Sequence, residues 1–224
     1  MSDSTESRNV TIAEEVLLLL LDEKKGTLIQ VPQLTLHFVL AGAVLMELAI
    51  RNRVDNDLHS FFVINTDPTG EPVLDGVLAK ISSAENNQDS KYWVNAIADE
   101  GGDLLENSIN RLIERGILGR TEKKILWLVK TESYSTIDDT VERESKRRVL
   151  NLLYSDEIPD QEDIVLLCLL DASNMLRALI GQAELARLRP RIDQIIQLDL
   201  IGQATTKLIR EIQVALVAAH APLF

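Results

Sequence analysis

Polar and apolar positions along the chain recur mostly with the period of a helix. Thr11 precedes a helical pattern that runs into the unbroken apolar stretch Val16 to Leu21. Glu14, three residues after Thr11, completes a capping box that satisfies two free amides at a helix start. The run of leucines without polar interruption predicts a helix buried on more than one side. Asp22 to Gly26 reads as a turn, and Thr27 to Val31 as a short extended piece before Pro32. Helical spacing resumes from Leu34 to Ile50, where Gly42 and Ala43 allow another helix to approach closely. Phe61, Phe62, Val63 and Ile64 are strand-formers within a small β-segment ahead of the turn Asp67-Pro68-Thr69-Gly70.

A helix then spans Pro72 to Ser82, with proline in its first turn. Ser83 to Ser90 is a polar loop and Trp93 belongs to a further short helix. Asp103 to Arg115 is amphipathic, with Leu104, Leu105, Ile109, Leu112 and Ile113 inward, and Gly116 stops it. Ile117 to Thr121 and Lys124 to Lys130 form a hairpin around Glu122-Lys123. An irregular stretch follows through Asp139. Four more helical segments run on from there; Pro159 separates two, and Pro190 breaks or restarts a third. The pattern predicts one mainly α domain over residues 10–224, behind a disordered lead at 1–9. Strand is confined to short hairpins near residues 53–66 and 117–130.

Composition adds that the core is aliphatic: 36 of the 224 residues are Leu, while aromatics supply 4%. No uninterrupted apolar run approaches the ~18 residues needed to span a bilayer. Met1 to Arg8 is polar and lacks the character of a signal peptide. Both points argue against an integral membrane or secreted protein. The single cysteine, Cys168, can form neither an internal disulfide nor, alone, a zinc site, which fits a reducing cytoplasm. Net charge is −12, and residues 1–120 carry −9 of it. Such a field repels polyanions, so no nucleic-acid partner is expected.

Candidate chemistry is sparse. The sequence shows no nucleophile elbow, metalloprotease helix, phosphate-cradling glycine loop or dinucleotide fingerprint. His37, His59 and His220 are scattered. Asp55 to His59 reads as an acidic turn, since its spacing does not match a calcium loop. Glu14 and Glu15 complement a helix N-terminus. Neither enzyme activity nor a cofactor nor a metal is expected. Asn107 to Lys130, a helix, a glycine and a hairpin, is laid out like a winged-helix DNA reader. Only Arg111 and Arg115 would face phosphates there, among Glu106, Asn107, Asn110 and Glu114.

The hairpin is more informative. On a single strand, Ile125, Trp127 and Val129 would point to one side, and Leu126 and Leu128 to the other. Two apolar faces on one hairpin predict contact with a second subunit, hence a homo-oligomer through residues 117–130. Two basic groups interrupt the acidic background: Arg143, Lys146, Arg147 and Arg148, then Arg187, Arg189 and Arg191. They form either a solvated face with local salt bridges or a receiver for phosphate-bearing head groups.

Several segments in order resemble the Golgi phosphoprotein 3 family, in its bacterial branch. They are Thr11 to Asp22, Leu40 to Arg53, Leu74-Asp75 after Thr69-Gly70, Trp93, and Arg115 to Leu118 followed by Thr121 to Lys123. The likeness covers Thr11 to Ala218. It implies a hydrophobic bundle ringed by amphipathic helices, with short β-hairpins. It further implies a cytoplasmic peripheral adaptor, on the inner face of a membrane, that binds phosphatidylinositol 4-phosphate and self-associates through the hairpin. The family's head-group positions fall here at Pro32, Ala41, Gly102 and Leu105, whose side chains cannot make charge-assisted contacts to phosphate. Arg51 and Arg53 match family positions, with Glu47 one turn before Arg51 as an ion-pair partner. The expected partners are therefore an anionic membrane surface or phosphoinositide and a protein client. The alternative is a soluble protein-interaction domain without lipid binding, and the winged-helix layout ranks third.

Overall fold

The computed structural model describes residues 10–22, 25–29, 31–57, 60–86, 88–125, 129–156, 158–196, 211–215 and 217–218, with the backbone alone through 121–132. The lead at 1–9, His59, His220 and the hairpin residues Leu126, Trp127 and Leu128 lie outside this set. The first helix, α1 (Ile12–Leu19), begins as its capping box requires. The Glu14 amide donates to Thr11 Oγ1 at 3.2 Å, and the Thr11 amide donates to Glu14 Oε2 at 2.7 Å. Every residue of α1 is buried, as the uninterrupted leucines foretold.

A minimal ladder follows, β1 (Leu21–Asp22) antiparallel to β2 (Thr27–Leu28). The chain then enters α2 (Gln33–Ile50), which is long and apolar enough to cross a membrane but lies largely buried within this fold. A Cβ on Gly42 would lie 2.5 Å from Ile212 Cδ1 and 3.0 Å from Leu169 Cδ2, so the close approach anticipated there is real. β3 (Val54–Asn56) and β4 (Phe61–Val63) form the second ladder. Three helices come next: α3 (Pro72–Ser82), α4 (Ser90–Asp99) and α5 (Gly101–Glu114). Gly116 stops α5 with a φ of 73°, and the Ile117 amide turns back to the Leu112 carbonyl at 3.0 Å. Residues with a side chain rarely adopt that backbone conformation.

The third ladder pairs β5 (Leu118–Ile125) with β6 (Val129–Thr136). Two sequence expectations fail here. Glu122 and Lys123 are inside β5, opposite Glu132 and Thr131, so the reversal falls between Ile125 and Val129. Ile125 and Val129 are therefore register partners on two strands rather than neighbours along one. The second failure is the stretch from Thr131 to Thr136, expected to be irregular. Its threonines, serines and Tyr134 pair with β5, and the Tyr134 amide also donates to the Gly26 carbonyl at 2.7 Å. Long-range pairing overrode a weak local pattern.

The rest is helical: α6 (Thr140–Tyr154), α7 (Gln161–Ala172), α8 (Met175–Ile180) and α9 (Gln182–Ile196). Pro190 sits inside α9, which continues through it. The described residues make a mainly α fold whose strands are confined to two-stranded ladders. Packing centres on α2, which contacts α1, α3, α4, α5 and α7. The outer helices α5 and α6 bury one stripe each: Leu104, Ile109 and Leu112 on the former, Val149, Leu152 and Leu153 on the latter.

Candidate functional site

Three carboxylates are buried around the N-terminus of α1, two on that helix and one on α2. Glu14 and Glu15 are each 1% exposed, and Glu47 of α2 is 2% exposed. Burying such groups is costly unless each is paired or hydrogen-bonded. Glu47 Oε2 accepts from the Ile12 amide at 2.8 Å, and its Oε1 lies 2.5 Å from Arg51 Nη2. Glu14 serves the capping box and stands 3.5 Å from Arg115 Nη1. Glu15 pairs with Arg148, whose Nε is also 3.3 Å from Asp163. Arg115 at the end of α5 and Arg148 of α6 thus pair with carboxylates of α1, while Glu47 of α2, itself paired with Arg51, takes the Ile12 amide.

Beside this cluster opens a cavity of about 750 Å³. Val10, Ile12, Ile117 and Val141 give it apolar walls. Glu47, Arg51, Thr69, Glu71, Arg115, Asp138 and Glu162 give it polar ones. Arg115 Nη2 reaches both oxygens of Glu71 at 2.6 Å, while Arg111 Nη2 approaches the same carboxylate at 3.4 Å. The hydroxyl of Thr69 donates to Asp75 Oδ1 at 2.7 Å and accepts from the Glu71 amide at 3.1 Å, which fixes the loop ahead of α3. Asp138 accepts from the Thr140 amide at 2.9 Å.

Four carboxylates therefore face two guanidiniums across the cavity. Burial pushes the Glu47 carboxyl up to about 7, and the negative charge of Glu162 adds to the rise. Arg51 and the Ile12 amide oppose it. Burial also raises Glu14, against the pull of the Thr11 amide and Arg115. The described lining residues include neither histidine nor cysteine. The Thr69 hydroxyl in this lining is committed to Asp75.

The positions that the resemblance assigns to a head group lie elsewhere. Pro32 is exposed ahead of α2, Ala41 is fully buried within it, Gly102 is exposed in the first turn of α5 and Leu105 is half-buried. None of them lines the cavity. Where α2 meets α5, the imidazole of His37 occupies the space in which a Cβ on Gly101 would stand, 2.2 Å from His37 Cγ.

The basic groups are engaged with neighbouring acids. Arg143 pairs with Asp139 at 2.7 Å, Arg147 with Glu144 at 3.3 Å and Lys146 with Glu142. Arg148 is drawn inward, as above. Arg187 pairs with Glu184 and lies 5.4 Å over the Tyr154 ring. Arg189 grips Asp171 with two bonds of 2.8 Å, and Arg191 Nε donates to the Leu152 carbonyl at 3.1 Å. Arg51 pairs with Glu47 as the sequence suggested. Arg53 Nε donates to the Asp67 carbonyl at 2.8 Å.

Sequence reasoning found Glu14, Glu47 and Arg51, because their partners are one turn away. It missed the convergence of Glu71, Arg115, Asp138 and Glu162, whose separations along the chain leave no local signal. Arg111 and Arg115, which the winged-helix layout would turn to phosphates, both turn to Glu71 instead.

Fold and cavity define a helical scaffold built round one apolar helix, with a charged hollow where six segments meet. Compared with known families, the chain matches Golgi phosphoprotein 3 (GPP34) over residues 12–212, and it belongs to that family. It is 26% identical over 216 residues to vacuolar protein sorting-associated protein 74 of Eremothecium gossypii, covering 81% of this chain and 64% of that protein. It is 28% identical over 167 residues to the protein of the same name from Schizosaccharomyces pombe, covering 65% of this chain and 49% of that one. The chain thus spans less than two thirds of the length of either relative.

Proposed function

We propose that the protein is a non-catalytic peripheral adaptor of the Golgi phosphoprotein 3 type. It works on the cytoplasmic side of a membrane, engages an anionic surface and a protein client, and self-associates through the β5–β6 hairpin. The observation that carries this reading is family membership along almost the whole chain, residues 12–212. Phosphoinositide contact through positions 32, 41, 102 and 105 is disfavoured, because proline, alanine, glycine and leucine offer a phosphate no charged donor.

Co-sedimentation with vesicles tests the proposal. The expected result is binding to vesicles containing phosphatidylserine or phosphatidylinositol 4-phosphate, weakened as salt is raised, with neutral phosphatidylcholine vesicles left unbound. Binding that is indifferent to salt and lipid charge, or no binding at all, would favour the second reading, a protein-interaction domain that does not touch lipid. The four substituted head-group positions are the observation behind that alternative.

A further inference from the structure

A smaller hollow, of about 200 Å³, opens between β4, the end of α3 and the start of α4, and shares no described lining residue with the cavity beside α1. Phe61, Phe62 and Trp93 line it. The chain has four Phe and two Trp in all, so aromatic rings gather here in an otherwise aliphatic interior. The Phe61 amide donates to the Gln88 carbonyl at 2.7 Å, which ties β4 to the segment ahead of α4. Phe61 and Trp93 are 1% and 3% exposed. The indole Nε1 of Trp93 nevertheless meets no acceptor in the protein. An indole can only donate, and a buried donor left without a partner is costly. Asn86 and Gln88 border the same hollow, and their side-chain amides can both donate and accept. The Ser82 hydroxyl, also on the wall, is taken by the Leu78 carbonyl at 2.8 Å. No charged residue stands among the described lining residues.

From this convergence we infer that the hollow is a binding site for one neutral phenol ring, carried either by a free phenol or by a tyrosine side chain of a protein client. The ring lies among Phe61, Phe62 and Trp93. Its hydroxyl oxygen accepts from Trp93 Nε1, and its hydroxyl proton goes to the amide oxygen of Asn86 or Gln88. Size selects a single ring, since an apolar cavity of about 150 Å³ holds benzene, whereas drug-sized ligands occupy about 300–1,000 Å³. Charge selects a neutral one. A carboxylate or phosphate would find no cation in the described lining, and an ammonium no carboxylate, so either would lose hydration without a partner. A purely apolar ring would fill the space but leave the indole proton unpaired. The tyrosine case rests on the proposed client, while ring binding itself does not, so a failure of vesicle binding leaves it standing.

Nitrogen–proton correlation spectra of the isotope-labelled full chain test this through the indole signals of its two tryptophans. Trp127→Phe removes one signal and so assigns the other to Trp93. At neutral pH, p-cresol should shift the Trp93 signal saturably. Toluene, which lacks the acceptor, should bind roughly three- to tenfold more weakly, and the anion p-tolyl phosphate should not bind. N-acetyl-tyrosinamide separates the two sources. A saturable shift with it assigns a tyrosine-bearing segment, and its exclusion while p-cresol binds assigns a free phenol. Ala84→Met, on the exposed rim, should block the hollow and abolish the p-cresol shift while melting stays cooperative. Trp93→Phe keeps a ring but loses the donor, and should bring p-cresol down to the affinity of toluene by calorimetry. If Trp93→Phe fails to fold, Ala84→Met and the comparison with toluene decide. The absence of a saturable p-cresol shift would overturn the site. So would toluene or p-tolyl phosphate binding as tightly as p-cresol, or a p-cresol affinity unchanged in Ala84→Met.

Discussion

Glu47 is the residue whose burial has the clearest consequence for stability. Its carboxyl titrates near 7 in the folded protein, well above the ordinary value of 4.5. Below 4.5 it is protonated in both states. Between 4.5 and 7 the folded state holds a proton that the unfolded state has lost, so stability falls as pH rises through that window. The drop attributable to Glu47 is about 3 kcal/mol. Glu14, raised by burial as well, acts in the same direction. Urea melts of wild type and Glu47→Gln at pH 5 and pH 8 check this. The wild type should lose more stability on going to pH 8 than the variant does, and equal slopes would disprove the assignment. Arg148 makes a complementary case, since it neutralises the buried Glu15 and approaches Asp163 at 3.3 Å. Replacing it with Met keeps the apolar stem but strands a buried carboxylate, which costs about 3–5 kcal/mol. A denaturation midpoint unchanged in Arg148→Met would show that Glu15 finds another partner. Neither Glu15–Arg148 nor Glu71–Arg115 could be read from the sequence, because the partners sit 133 and 44 residues apart. Thr11–Glu14 and Glu47–Arg51 could, because local helical geometry dictates them.

At the scale of elements, the sequence was most legible where a single residue fixes the backbone. Pro72 opens α3 and Gly116 closes α5, at the places their chemistry requires. It was least legible where pairing or packing decides. β6 has no strong alternation, and its reversal from β5 is set by the register of the whole ladder. Pro190 failed as a helix breaker because α9 is held by Leu185, Leu188, Ile192 and Ile195 against the core, on both sides of the proline. That packing tolerates the missing amide and the clash with the preceding turn. Pro190→Ala should therefore stabilise the protein, by as much as about 3 kcal/mol if the helix straightens freely. A lower melting temperature would mean that a bend at Pro190 is needed for α9 to fit. Gly76 offers a second, smaller gain. It is exposed in the middle of α3, and a Cβ there would meet nothing within 4 Å. Gly76→Ala should add about 0.5–1 kcal/mol by helix propensity alone, measurable as a shift in denaturation midpoint with an unchanged slope.

For the whole molecule, the aliphatic composition and the near-continuous burial of α1, α2 and α7 explain why so few aromatics suffice. Leucine, isoleucine and valine from these helices fill the centre, and Gly42 lets Leu169 and Ile212 close it. The architecture was therefore legible in outline from periodicity, whereas the cavity was not, because it belongs to the meeting of distant segments rather than to any one of them. Assembly beyond one chain through the hairpin is a prediction at this scale. The backbone of β5 and β6 forms an eight-pair ladder ending at Ile125 opposite Val129, and the sequence between them is Leu126-Trp127-Leu128. Three large apolar residues in succession are costly to leave in water. Each contributes roughly 1.5–3 kcal/mol when covered, and a two-fold contact uses every one of them twice. Wild type is accordingly expected to be a homo-oligomer by light scattering. Trp127→Asp should shift it toward monomer while helical circular dichroism and cooperative melting are retained. A wild type that stays monomeric at high concentration would remove the hairpin from the proposed assembly. Loss of helical signal in Trp127→Asp would instead make the tryptophan part of the fold of a single chain.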